Sequence, residues 1–197
     1  MRCDFFKKLY FFLESFWKYL GKSQDKNFRL IHISLAILVI VQILDSDYVH
    51  TRYGLSVGAY LHICVGMTIA ILSIIMIIAA LEKRGLRYYY PYLFNDYTAL
   101  KSDLSELTRL RLPNPRSGSI AAIVQGFGLL ALSIAWISGS MWFIAWNFQF
   151  DYTQNLKDLH KTLVGLIEFY ICVHGIMGIV HYFVQRYFRR FISNVDN

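Results

Sequence analysis

The sequence predicts an all-α membrane protein: a four-helix transmembrane bundle with an N-terminal amphipathic surface helix. Three observations predict it. Of the 197 residues, 56% are hydrophobic and only 17% are charged. Soluble domains carry about a quarter charged residues, so this chain is too apolar for an ordinary one. The apolar residues fall in four long runs, and the basic residues lie unevenly between those runs.

The runs can be read directly. Residues 30–44 lie between Arg29 and Asp45, and 53–81 between Arg52 and Glu82. Residues 117–150 lie between Arg116 and Asp151, and 162–185 between Lys161 and Arg186, with Glu168 as the single charge inside. A helix needs about 17–25 residues to cross the hydrocarbon. Three runs meet this. The first is short, but Arg29 can snorkel and Tyr48 can sit at the interface, so it counts as a fourth span.

Basic residues set the orientation. Segment 1–29 holds seven Lys/Arg, segment 82–118 seven more, and 185–197 three. The other connections hold Arg52, Lys157 and Lys161, a split of 17 against 3. The positive-inside rule places both termini and the 82–118 loop of a multi-pass membrane protein in the cytoplasm. The net charge of +7 is then a matter of topology, and no nucleic-acid partner is expected. The opening residues carry scattered charges and no small-residue cleavage site, so no cleavable signal is expected.

Outside the spans, residues 1–28 form their own element. DFFKKLYFFLESFWKYL sets Phe5, Leu9, Phe12, Phe16 and Leu20 near helical spacing, with Lys7, Lys8, Glu14 and Lys18 between them. This predicts an amphipathic helix on the cytoplasmic membrane surface. The competing reading packs it on the end of the bundle. Residues 29–185 make the four-span domain and 186–197 a cytoplasmic tail. Within 82–118, TALKSDLSELTRL predicts a short helix with Asp96 as a possible N-cap, followed by the breaker PNPRSGS. The three cysteines show no zinc spacing and no C-x-x-C-H, which excludes c-type haem attachment.

Histidines carry the functional signal. An ionisable ring inside a span is costly and is a functional hypothesis by default. His32, His62, His160 and His174 occupy three spans and read as two pairs of axial ligands for two haems. His160 and His174 are 14 residues apart, so they point within about 40° of each other and lie about 21 Å apart in depth. His62 opens the second span at the outer depth of His160, whereas His32 is at the inner end of the first. The natural pairs are His62 with His160 and His32 with His174, in the way bundles build cofactor sites from facing helices. His181 shares the face of His174 and, by depth alone, matches His32 better. His50 reads as a solvated loop residue. Gly66, Gly165, Gly175 and Gly178 either leave gaps for a flat macrocycle or let helices approach closely. Arg29 could serve the propionates of the inner haem, and Arg52, Lys157 and Lys161 those of the outer one. Glu168 points away from the ligand face and reads as a structural hydrogen-bonding group, with Gln125 or serines of the third span as partners.

FRLIHISLAILVIVQIL resembles the first haem helix of the prokaryotic cytochrome b561 family and of the related b-type subunits of nickel–iron hydrogenases. YLHICVGMTIAI resembles the second. LHKTLVGLIEFYICVHGIMGIVHYF resembles the fourth-helix signature, two ligating histidines 14 apart with a third seven residues on. The resemblance covers residues 28–185; the longer 82–118 loop and the N-terminal helix depart from the smallest members. It implies two haem b groups, with His32 and His174 on the inner one and His62 and His160 on the outer one. His181 would then bond a propionate or line a quinone pocket. Bis-histidine iron has no open coordination position, which suits electron transfer. The implied function is exchange of electrons between the membrane quinone pool and a redox partner, a dehydrogenase or a cytochrome. Some members oxidise superoxide while reducing quinone. Here Asp45, Asp47, Asp151 and Asp158 nearly balance Arg52, Lys157 and Lys161, which gives little steering of an anion. A haem-free membrane anchor or scaffold docking through 82–118, and a transporter with histidine proton relays, are the alternatives. Neither accounts for the 14-residue pair.

Overall fold

The computed structural model describes residues 2–21, 24–49, 54, 56–109, 111–184 and 186. His50, Arg52, Arg189 and Arg190 lie outside them. The described residues form helices and the turns between them, with no β-strand among them. The helices are α1 (Arg2–Leu20), α2 (Lys26–Asp45), α3 (Val57–Arg84), α4 (Leu86–Tyr89), α5 (Thr98–Thr108), α6 (Ile120–Asn147) and α7 (Thr153–Phe183). α2, α3, α6 and α7 are long and apolar enough to span a membrane.

The spans occupy the expected order but overrun the uncharged runs. α2 begins at Lys26 and reaches 20 residues, which removes the shortfall of the first run. α7 begins at Thr153, so Lys157, Asp158 and Lys161 ride on its first turns instead of standing in a loop. Charge marks where a helix leaves hydrocarbon, whereas the backbone hydrogen-bond ladder continues through the interface.

The chain divides into two compact units, one of Met1–Ser34 with Gly175–Asn197 and one of Leu35–His174. In the larger unit α6 packs on α3, α4 and α5. Serines start α3 and α6: Ser56 accepts from Ala59 N at 3.1 Å and Ser119 from Ala122 N at 3.2 Å. Each satisfies an amide that the first turn leaves without a helical partner. The buried face of α3 runs Ile69, Ser73, Met76, Ala80, spaced four, three and four. Lipid tails are as apolar as leucine, so helices in a bilayer associate through close packing at small residues. On α6 a glycine does similar work for the connecting segment: at Gly126 a Cβ would stand 2.9 Å from Tyr89 O, and Tyr90 Oη donates to Gly126 O at 2.9 Å.

One buried carboxylate ties α5 to the start of α6. Asp103 of α5 is fully buried. Its Oδ2 accepts from Ile120 N at 2.8 Å, at the positive end of α6, and its Oδ1 pairs with Arg116 at 2.5 Å. Arg116 stays 38% exposed, so solvent screens the ion pair, and loss of the carboxylate acts chiefly by leaving the Ile120 amide without its acceptor, a cost of about 1–3 kcal/mol. Asp96 does stand at the start of α5, one position earlier than a cap residue, and accepts from Thr98 N at 3.3 Å. The Thr98 amide and then Arg87, at 2.9 Å, hold its carboxyl below the usual carboxylate range. This tie is therefore present above that range and is lost as pH falls through the lowered value.

In the smaller unit, α1 sets Phe12, Phe16 and Tyr19 around the Tyr182 ring, with centroids 5.6, 5.5 and 5.4 Å away. Tyr182 Oη donates to Ser15 Oγ at 2.8 Å. Phe6, Leu9, Tyr10, Phe11 and Leu13 stay exposed. One edge of α1 therefore packs on the end of α7, and much of its remaining apolar surface is exposed.

Candidate functional site

The clearest constellation in the larger unit is built from α2, α3, α6 and α7. α2 ends in Gln42 and Asp45, three residues apart and therefore on one face. Both engage His62 in the second turn of α3. Gln42 Nε2 donates to His62 O at 2.8 Å, and Asp45 Oδ1 lies 2.6 Å from His62 Nδ1. Gly66, one turn on, keeps the approach open: a Cβ there would stand 3.2 Å from Gln42 Nε2. A carboxylate accepts only, so the His62 tautomer that fits carries its proton on Nδ1.

His160 of α7 is held in a parallel way. Its Nδ1 lies 2.9 Å from Ser138 Oγ on α6. The Ser138 hydroxyl donates to Ala135 O at 3.0 Å, which leaves its oxygen to accept from His160 Nδ1. Gly139 makes room for the ring, since a Cβ there would stand 3.1 Å from His160 Cε1. Both rings thus make their hydrogen bonds through Nδ1 and keep the Nε2 lone pair for a metal. Ligating histidines have this arrangement, the second nitrogen bonded to a carboxylate, carbonyl or hydroxyl that fixes the ring. Buried Trp136 Nε1 and Gln42 Oε1 have no hydrogen-bond partner among the described residues. These residues fit a haem: two imidazole nitrogens from different helices, each ring fixed through its Nδ1.

The other expected site residues are placed as follows. His174 stacks on Tyr170, centroids 5.0 Å apart and planes 15° apart, and Gly128 of α6 accommodates the Tyr170 ring. A Cβ at Gly128 would overlap that ring. His32 is half-buried on α2 and belongs to the smaller unit, whereas His174 ends the larger one. His181, in the smaller unit, binds Met177 O through Nδ1 at 3.0 Å, and its buried Nε2 has no hydrogen-bond partner among the described residues. Arg29 is turned to α1: its guanidinium stacks 3.9 Å from the Trp17 ring and donates to Trp17 O at 2.7 Å. Lys161 is exposed and Lys157 half-buried on α7. Gly165, Gly175 and Gly178 face open space. Glu168 is exposed, and Gln125 accepts from Arg84 at 3.2 Å instead. Asp45, Ser138, Gly139, Tyr170 and Gly128 are additions that the sequence reading did not assign to the site.

The family model of prokaryotic cytochrome b561 matches residues 23–194. No curated protein and no solved structure matches the chain.

Proposed function

Because the chain belongs to the prokaryotic cytochrome b561 family, we propose that it carries electrons across the membrane through two haems, one held by His62 and His160 and the other by His32 and His174. Membership makes it a haem b-binding, multi-pass protein of the inner membrane that works in electron transport. The observation that supports the ligand assignment is the His62–His160 arrangement, Nδ1 of each ring held by Asp45 or Ser138 and Nε2 left over.

When bound, the haems supply the one-electron ferric/ferrous couple. The chain's own groups do the rest. Two imidazoles on each iron would leave no open coordination position, so His62, His160, His32 and His174 would keep oxygen and other small ligands from the iron. Asp45 and Ser138 fix ring orientation, which limits rearrangement as the iron changes charge. The reaction is exchange of electrons between the quinone pool and a redox partner, a dehydrogenase or a cytochrome, with His181 beside the quinone. A second reading has His181 in place of His174 as the partner of His32, favoured by its buried Nε2 without a hydrogen bond.

Domain roles follow the same reading. Residues 1–28 lie on the cytoplasmic side, 29–185 hold the haems, and 186–197 form the tail. The His62–His160 end faces outward. The purified protein, made with ample haem supply, is expected to be red, with a sharp reduced α-band at the b-type position and two haems per chain. A haem-to-chain ratio near zero overturns the reading. Reporters fused after Asn197 and at Ser102 are expected to be active only as cytoplasmic reporters. An active periplasmic reporter at either point reverses the orientation.

A further inference from the structure

We propose that Asp45 sets the redox potential of the outer haem by fixing the tautomer and raising the donor strength of His62, an inference that rests on His62 being a ligand of that haem. Asp45 closes α2, at the end where the helix dipole disfavours an acid. The last turn of α2 offers no basic residue to offset it. Helix stability therefore does not account for the acid at this position. Its partner is His62 Nδ1 at 2.6 Å, with both side chains about one-fifth exposed, 22% and 19%. Gln42, one turn earlier, holds the His62 carbonyl, so α2 grips backbone and ring together.

The two axial rings of this site are then unequal. His160 gives its Nδ1 proton to a neutral hydroxyl, whereas His62 gives it to a carboxylate. A carboxylate acceptor draws the Nδ1 proton and pushes density toward Nε2, toward imidazolate character. The stronger donor stabilises ferric over ferrous iron, as does the negative charge itself. Both effects lower the potential of the haem at this end relative to an axial pair held by neutral acceptors.

The test is a spectroscopic redox titration of the haem-loaded protein. The outer haem is identified as the one lost in His62→Ala. Asp45→Asn keeps the shape but removes the charge. It is expected to retain two haems per chain and to raise the reduced-to-oxidised ratio of the outer haem, at fixed ambient potential, by about tenfold, ~59 mV for a one-electron couple. The other haem should stay where it was. Ser138→Ala, which removes a neutral acceptor, should shift the outer haem by less than about threefold. Unmoved titrations in Asp45→Asn with full haem content overturn the proposal. If Asp45→Asn loses the outer haem, Asp45→Glu must restore both loading and the low potential, and failure to do so also overturns it. Full haem content in His62→Ala would instead remove the ligand assignment, a separate result read from haem content alone.

Discussion

His62→Ala and His160→Ala are each expected to lose the same haem and keep the other, so that haem content falls by about half in both variants. One missing axial nitrogen leaves a b-type haem, which has no covalent link to the chain, held by a single imidazole. The two substitutions act on opposite sides of one iron, so their effects should not add: the double variant should look like either single one. Reduced-minus-oxidised spectra and pyridine haemochrome measurements on the three variants check this. The surviving α-band also shows that the bundle has folded. If His62→Ala and His160→Ala remove different haems, the pairing of these two histidines falls. If the double variant loses both haems while each single one keeps one, it falls equally.

Span number and order were legible because the bilayer imposes them. A run without charge and of sufficient length has few other uses, and the overrun of α7 back to Thr153 concerns only where helix outlasts hydrocarbon. The histidines were legible for the same reason, since a ring that titrates near neutrality is conspicuous among leucines. Their supports were not. Asp45 reads in sequence as the charge that ends a run, and only the turn from α2 to α3 brings it back 17 residues on to His62. Ser138 is one of several serines in an apolar helix and gains meaning from the ring 22 residues later. Gly128 and Gly139 matter through the side chains of α7 that fill the missing Cβ space, Tyr170 and His160, and no spacing within α6 announces those contacts. Arg29 shows the converse. Its place one turn before His32 suggested a propionate, yet Trp17 offers both a ring face and a carbonyl within reach.

His174→Ala is expected to abolish the inner haem, as is His32→Ala, whereas His181→Ala should leave two six-coordinate low-spin haems per chain. His174 lies 14 residues after His160, almost four helical turns, so the two rings share a face of α7 at a separation of about 21 Å. Tyr170, stacked on the His174 ring and seated against Gly128, limits how that ring can turn. A ligand needs such an orienting contact when its partner is on another helix. His181 has the opposing argument: Met177 O fixes its tautomer and leaves a buried Nε2 without a hydrogen bond. A nitrogen in that state can accept from a quinol hydroxyl or bind iron with equal ease. Haem content separates these roles. Loss of quinol-driven reduction in His181→Ala, with both α-bands intact, places His181 on the quinone. Loss of the inner haem in His181→Ala, with His174→Ala retaining both, makes His181 the partner of His32.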